Sequence, residues 1–598
     1  MLYFLSVLLI CLNCSDPKVD QVVEDNYYIK LKDNNQSIIK STYYGGKFSI
    51  YYETNIEETL YRKINATVDG SNSSWCRVSM DRAQSKLDIS VDNNTDVSSR
   101  EATIKLSSDD VVLSIVLKQE GYVSTEIEPE YKKINILSGW SPNYLDEKTK
   151  IEKAFDGDPA TYFNAKSGEA AFPYDIKFVL NTTESINHLI YYPRSDNGTR
   201  WGQFGVFEVW YNTSSSEEYV KAGAFDFKEE LNNPSTAFFD TPIVAPKEIL
   251  IKVFSGYNKR VSIGEIEFYS ESENSFDYKS IFKDLTCSEL KPGITINDID
   301  KISIPFYKNL ATKLFQGEYD EEYRVQLYRP YQHPTIHASK LKTGKYSLQD
   351  NPTGIYYNNL DESLIVFVDE LKGRKVSLNI VDYSESANGG ITYPLSQGLN
   401  ILKPSKKGLV YILYHVDDDY SLNPTKSEEI KKIELESIKI HVSTGLVNGY
   451  FDIRKNNNSD WQSIRDNAVS NEIDVLGLHS HVVWSVADYK DYNTNIVQMT
   501  TYIDNLVKQQ HEFMGLYHHN KLFKNRQFMR IDYFVPAAYA TDYRTVYKNT
   551  LFKEVFCSED GFRRRMWVIG HEVGHVNQTR PGIKWHGTTE VTNNIYAL

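Results

Sequence analysis

The stretch RMWVIGHEVGHVNQ, residues 565–578, decides how the carboxy-terminal quarter of the chain is read. His571 and His575 stand at i and i+4, so on a helix they share one face and both imidazoles reach a single Zn²⁺. Glu572 follows the first histidine and points toward water on the same metal. A carboxylate there serves as general base, taking a proton from that water and later returning it to the leaving amine. The run from Arg565 to Ile569 is apolar enough to bury such a helix. A solvated amphipathic helix with a fortuitous HExxH fits the same residues, so the flanking sequence has to arbitrate.

A zinc site needs a third protein ligand. Glu590 lies 15 residues after His575, in TTEVTNNIYAL (588–598), and reads as the start of a second helix facing the first. Thr588 and Thr589 can cap that helix. Asn594 falls four residues after Glu590, on the same face, placed to hydrogen-bond a ligand side chain from behind. HExxH followed by a downstream Glu is the gluzincin arrangement. The metzincin spacing fails, because Gln578 and Gly582 do not match it. HEVGHVNQ together with TEVTNNIYAL closely resembles the signature of the enhancin-like, mucin-degrading metallopeptidases, peptidase family M60. The resemblance implies that His571, His575 and Glu590 ligate Zn²⁺ and that Glu572 is the catalytic base. It also implies mucin-type O-glycoproteins and their glycans as partners. One departure stands out. Leu598 lies eight residues past Glu590, whereas family members continue well beyond. The expectation is a catalytic domain truncated at its carboxy terminus, or a fragment of a longer chain. The alternative function is then a non-catalytic glycan-binding surface lipoprotein with an incomplete peptidase domain.

Working upstream, residues 446–598 read as the helical catalytic domain, on DWQSIRDNAVSNEIDVLGL and NTNIVQMTTYIDNLVKQQHEFMGL. Residues 340–445 return to strands in SLIVFVDEL, KVSLNIVDY and GLVYILYHV, a small β-sandwich. The phrase YPLSQGLNILKPSKKGLVYILY (393–414) resembles the amino-terminal sandwich of the same peptidases. Residues 273–339 carry scattered helical periodicity and read as a connector. Of the other histidines, His479, His481, His518 and His519 are weaker site candidates, and His586 lies in the loop between ligands, either lining the cleft or on the surface. Tyr533, Tyr539 and Tyr543 are possible oxyanion donors that a chain with 43 Tyr cannot rank.

Residues 131–272 are strand-rich again. IEKAFDGDPATYF (151–163), IYYPRSDNGTRWGQFGVFEVW (190–210) and IGEIEFYS (263–270) resemble, in order, the discoidin-like fold of coagulation factor 5/8 C-type domains and family 32 carbohydrate-binding modules. In that family the Asp-Gly-Asp loop and a carboxylate of the last strand hold a structural Ca²⁺. Asp156, Asp158 and Thr161 offer oxygens on a tight Gly157 turn, and Glu265 or Glu267 closes the site, as a hard cation requires. Gly157 and Pro159 explain a turn on their own. Arg194, Asn197 and Trp201 are the glycan-contact candidates, with Arg194 and Trp201 equally compatible with a structural role. Residues 20–122 show period-2 strands with turns roughly every ten residues, a β-sandwich pattern. Trp75, SVDNNTDVSSREATIKL and the closing Lys118-Gln-Glu-Gly121 resemble the immunoglobulin-like BACON domain, with Trp75 read as core.

The run Leu2–Leu12 is too short to span a bilayer, which needs about 20 residues, and has the length of a signal-peptide core. It ends at Leu12-Asn13-Cys14-Ser15-Asp16, which resembles a bacterial lipoprotein signal over residues 1–14 with Cys14 as the acylated residue. Ser-Asp after the cysteine resembles surface-export signals. The expectation is an extracytoplasmic lipoprotein tethered to the outer-membrane surface; an ordinary cleaved signal with incidental cysteines is the alternative. Cys76, Cys287 and Cys557 make no CxxC pair and read as buried or free thiols.

The formal net charge of −14, from 66 Lys+Arg against 80 Asp+Glu, argues against bulk nucleic-acid binding. With 41% hydrophobic and 24% charged residues, wholesale disorder is excluded. No GxSxG elbow, Walker-A loop or Rossmann glycine fingerprint is present, so no nucleotide partner is expected. The fold class expected is multidomain: an immunoglobulin-like sandwich, a discoidin-like jelly roll and a small sandwich, followed by a mainly α gluzincin domain holding Zn²⁺, with structural Ca²⁺ upstream.

Overall fold

The computed structural model describes residues 27–597 apart from 33–36, 60–61, 70–72, 159–160, 167–170, 195–200, 230–233, 273–275, 386–388, 417–427 and 491–494. The segment 1–14 with Cys14, and Asn197, therefore lie outside the described residues. Contacts divide the chain into two compact units, Met1–Gly121 and Tyr122–Leu598. No helix among the described residues is long and apolar enough to cross a membrane.

The first unit is a sandwich of two four-stranded sheets. One runs Ile29–Leu31, Gly46–Thr54, Lys86–Val91, Cys76–Asp81; the other runs Ile38–Ser41, Val111–Gln119, Arg100–Ser108, Asn65–Asp69. Alternation explains the layers. Leu87 and Ile89, Ile104 and Leu106, Ile115 and Leu117 point inward and are fully buried, while their neighbours face water. Trp75 is buried with them, and the Arg100 guanidinium lies 4.4 Å over its ring.

The second unit opens with a jelly roll. A five-stranded sheet (Ser138–Trp140, Tyr174–Val179, Pro246–Val253, Val206–Thr213, Ser216–Asp226) faces a four-stranded one (Ser235–Ile243, Ile186–Tyr192, Glu265–Glu271, Tyr131–Ile134). Phe178, Phe207, Ile251, Ile266 and Phe268 fill the space between them. The stretch read as a connector is packed rather than detached. Its helix Pro305–Gln316 buries Phe306, Tyr307 and Leu310 against Ile365 and Phe367. Its strand Val325–Tyr328 pairs with Ile438–Val442 of the next sandwich. That sandwich sets the four strands ending with Gly398–Leu402 against five built around Val376–Val381 and Gly408–Leu413.

From Tyr450 onward helices predominate, and they lie on a six-stranded mixed sheet of order Tyr450–Asp452, Glu472–Leu476, Ser480–Ser485, Gln527–Asp532, Arg544–Lys548, Tyr539–Thr541. The central strands were not anticipated. Glu472–Leu476 sits inside a run read as helical, and all five of its residues are buried. A strand covered on both faces loses the period-2 pattern that identifies it. Helices Ile496–Phe513, Asn549–Phe556 and Glu559–Asn577 cover one face, with Trp484, Met529, Tyr547, Phe552, Ile569 and Val573 in the core. The opposite face meets the sandwich: Val483 and Phe528 pack on Val381, Tyr383, Leu409 and Tyr411. There the buried Asp474 carboxylate accepts from Tyr411 (2.9 Å) and His481 (2.7 Å). Cys76, Cys287 and Cys557 are buried free thiols.

Trp484 is fully buried beneath the helical layer. Trp484→Ala is expected to cost about 3–5 kcal/mol, read in calorimetry as an earlier unfolding transition for the second unit, with the transition of the first unit unmoved.

Candidate metal centre

The helix Glu559–Asn577 is started by Ser558, whose hydroxyl accepts from the Gly561 amide at 3.0 Å, with Glu559 and Asp560 in the first turn. Both features suit a helix amino terminus. Ile569, Val573 and Val576 face the core, which turns His571 and His575 toward a cleft. The two rings lie 4.8 Å apart, nearly perpendicular. Glu590 is presented by the short helix Thr589–Thr592 and its continuation Asn593–Tyr596. Its Oε2 lies 3.3 Å from His571 Nε2 and 3.2 Å from His575 Nε2. The three donor atoms all fall within 4.8 Å of one another. Two imidazoles and one carboxylate that converge in this way leave the fourth side open, which fits Zn²⁺ and its preference for three protein ligands plus water.

The terminal turn is seated by small residues. A Cβ on Gly574 would stand 2.4 Å from the Asn593 carbonyl oxygen, and one on Gly570 would stand 3.1 Å from Ala597. Asn593 is fully buried there. Its Nδ2 reaches His571 Nδ1 at 3.0 Å, the His571 carbonyl at 3.3 Å and His575 Nε2 at 3.1 Å. Asn594 Oδ1 lies 2.9 Å from His571 Nδ1, and its Nδ2 donates to the Glu590 carbonyl at 2.9 Å. Asn593 was not singled out in the sequence, since an amide carries no motif of its own.

Glu572 is 6% exposed and its Oε2 has no hydrogen-bond partner. Burial is the main cause that pushes its carboxyl up to about 7; Glu590 adds to the rise and His571 opposes it. Burial likewise holds the His575 imidazole below its ordinary value, against the raising influence of Glu590. The cleft has a volume of about 500 Å³ and is lined by Gly344, the edge strand from Ala538 to Asp542, the two histidines, Glu572, Arg580, Lys584 and Glu590. Among the three tyrosines considered, Tyr539 lines it. Tyr533 instead donates to Glu472 at 2.7 Å, and the Tyr543 ring lies under Lys345. His586 is exposed and is not among the lining residues.

In the jelly roll, the Asp156 loop and the strand Glu265–Glu271 meet. The Gly157 amide donates to Glu265 Oε1 at 2.8 Å, and Thr161 Oγ1 donates to both Asp156 oxygens at 3.0 Å. The Asp158 amide donates to Asp156 Oδ1 at 3.1 Å, and Lys153 Nζ lies 2.9 Å from Asp156 Oδ2. Glu265 is buried, its Oε2 has no partner, and burial with the neighbouring Asp156 pushes its carboxyl up to about 7. Glu267 takes other partners, Lys133, Tyr192 and Tyr269. Glu265 is thus the residue of the pair that faces the loop. Arg194 is buried with its guanidinium 4.1 Å over Tyr162, whereas Trp201 is 43% exposed with Arg260 over its ring.

Residues 448–598 match the family model described as Peptidase M60, enhancin and enhancin-like, and residues 65–120 match that of BACON, an N-terminal binding domain. Among solved structures, a metallopeptidase from Bacteroides thetaiotaomicron is 25% identical over 55% of this chain and 56% of its own, with a TM-score of 0.48. A metallopeptidase in complex with Tn antigen is 25% identical over 47% of this chain and 52% of its own, TM-score 0.42. The CBM32-1, CBM32-2 and M60 catalytic domains of a Clostridium perfringens protein are 18% identical over 78% of this chain and 50% of their own, TM-score 0.44. The chain therefore matches about half the length of each of these. No curated protein matches it.

Gly→Ala inside a helix ordinarily stabilises by about 1 kcal/mol. At Gly574 the clash with the Asn593 carbonyl reverses the outcome. Gly574→Ala is expected to keep wild-type helicity by circular dichroism while Zn²⁺ affinity falls at least ~10-fold, the size of effect seen when groups behind the ligands are displaced. Wild-type affinity in that variant would show that the terminal turn does not need this close approach.

Proposed function

We propose that this chain, which carries an enhancin-like Peptidase M60 domain and a BACON domain, is a zinc metallopeptidase that cleaves peptide bonds in O-glycosylated, mucin-like glycoproteins. One observation carries the reading: His571, His575 and Glu590 converge at one point of a cleft into which Glu572 also opens. When bound there, Zn²⁺ supplies Lewis-acid and water-activating chemistry. The protein's own groups do the rest. Glu572 Oε2 is buried and unpartnered, so it is free to take a proton and to return it to a leaving amine, and a carboxyl poised near neutrality suits both steps. The edge strand Tyr539–Thr541 pairs only with Arg544–Lys548 among the described residues. Its other side is open at the cleft, where an extended peptide can add as a further strand and be held in register by backbone hydrogen bonds. Tyr539 stands on that strand as a phenol donor toward the polarised carbonyl.

The glycoprotein substrate class is supported by the M60 match and by the jelly roll ahead of the peptidase, which we read as a glycan-binding module with exposed Trp201 at one end and Asp156, Asp158, Thr161 and Glu265 around a structural Ca²⁺. The apolar run before Cys14 supports placement on the outer membrane through a lipid anchor.

Glu572→Gln keeps both imidazoles and is expected to retain Zn²⁺ while hydrolysis of a mucin-type glycopeptide falls by ~10²–10⁴-fold. His575→Ala and Glu590→Ala should lose the metal and the activity together, and a chelator should do the same to wild type until Zn²⁺ is restored. A chain that binds Zn²⁺ and the glycopeptide without cleaving it would instead establish the non-catalytic reading. For the jelly roll, saturating Ca²⁺ is expected to raise the melting temperature, since a ligand of the native state stabilises it; Glu265→Gln should abolish that rise, and an unchanged wild-type transition would remove the site.

A further inference from the structure

Gln578 is the residue at which the site helix ends. Its backbone amide still donates to the Gly574 carbonyl at 2.8 Å, but its ψ of 122° turns the chain out of the helix. The side chain is fully buried, which is unusual for an amide unless both ends are used. The Nε2 end is used twice. It donates to the Thr589 carbonyl at 2.9 Å and to Thr592 Oγ1 at 2.8 Å, one residue before and two after Glu590. The Oε1 end is buried and accepts nothing, while an interaction with the side chain of Gln578 is among those acting on the His575 ring.

The two histidines then compare directly. Each turns Nε2 toward Glu590. An imidazole that ligates through Nε2 carries its proton on Nδ1, and that proton needs an acceptor. His571 has one in Asn594 Oδ1 at 2.9 Å. For His575 the buried, unpartnered acceptor at hand is Gln578 Oε1.

We propose that Gln578 is a positioning residue of the metal centre, one amide that fixes the tautomer of His575 with its oxygen and anchors the turn bearing Glu590 with its nitrogen. The proposal rests on the zinc reading given above. It explains how a helix of only four residues, Thr589–Thr592, holds a ligand in place, since so short a segment does not stand without tertiary partners. It also predicts coupling. Losing the amide disturbs two ligands at once, whereas losing Asn594 disturbs one histidine.

The test measures Zn²⁺ affinity by chelator competition, and the visible absorption of the Co²⁺-substituted protein, in the full chain. Gln578→Met keeps length and removes both hydrogen-bonding ends; it is expected to weaken Zn²⁺ binding by roughly 10- to 100-fold and to alter the Co²⁺ bands. Gln578→Glu keeps an acceptor for His575 and is expected to stay within a few-fold of wild type, a rescue that a mere packing role would not give. In a Glu590→Ala background, Gln578→Met should still lower the residual affinity, because the His575 contact is independent of the turn. If Gln578→Met does not fold, as judged by circular dichroism, Gln578→Asn withdraws the same amide by one methylene and carries the same expectation. Wild-type affinity and Co²⁺ spectrum in Gln578→Met or Gln578→Asn would overturn the proposal and leave the zinc reading intact. A wild-type chain that binds neither ion would overturn the zinc reading itself, and the proposal with it.

Discussion

Everything at the candidate site depends on how closely the terminal turn approaches the helix Glu559–Asn577. Two imidazoles at i and i+4 are fixed by helix geometry alone, but the third donor comes from a separate segment 15 residues on. Its carboxylate can meet both Nε2 atoms only if the backbone at Asn593 lies almost against the helix. Gly570 and Gly574 make that approach possible, since a side chain at Gly574 would collide with the Asn593 carbonyl. The helix gives up propensity at two positions in its most important turns, and in return gains a fully buried asparagine against both histidines. The cost is local, and the benefit is a donor set that needs no rearrangement to converge.

A consequence is that amides, rather than charges, surround the centre from behind. Asn593, Asn594 and Gln578 each contact a ligand or the turn that bears one. Carboxylates in these places would add negative charge to a site that already holds Glu572 and Glu590, and would push Glu572 further toward its protonated form. Neutral amides orient the rings without that penalty. The cations Arg580 and Lys584 on the cleft wall offset the acidic pair from the opposite side.

The parts of this arrangement that the sequence displays are those in which chemistry and spacing coincide. His571, Glu572 and His575 are contiguous on one helical face, and Glu590 stands out as the acid after a plausible cap. The alternating strands of the sandwiches are equally plain, because one face of each is wet. Legibility fails where burial erases the pattern. Glu472–Leu476 is covered on both sides and reads as part of a helix. It fails again where residue type carries no information: Gln578 registers only as a misfit to another spacing, and Asn593 not at all. Tyr539 could not be separated from 42 other tyrosines until the edge strand placed it on the cleft wall. Glu265 and Glu267 share a strand and a period, and only their partners tell them apart.

The cleft also shows why the peptidase is more than its last 150 residues or so. Gly344, from the segment ahead of the sandwich strands, donates its amide to the Val576 carbonyl at 2.6 Å and lines the cleft. Two residues earlier, the Lys342 carbonyl accepts from the Arg580 amide at 2.7 Å. These bonds use carbonyls at the carboxy end of the site helix and just past it, groups that a helix end otherwise leaves to water or caps. A Cβ at Gly344 would stand 3.1 Å from the Val576 backbone, so the segment can close over the helix only with glycine there. On the far side of the sheet, Tyr411 of the sandwich shares the buried Asp474 with His481, and a buried carboxylate is tolerated only while its donors stay in place. The sandwich is therefore fastened to the catalytic sheet at two levels, by the cleft wall in front and by a buried polar contact behind. Separating the two would expose Asp474 and uncap the helix that presents both histidines. That is the physical reason the chain from Tyr122 onward behaves as one compact unit, although its strands and helices fall into several layers.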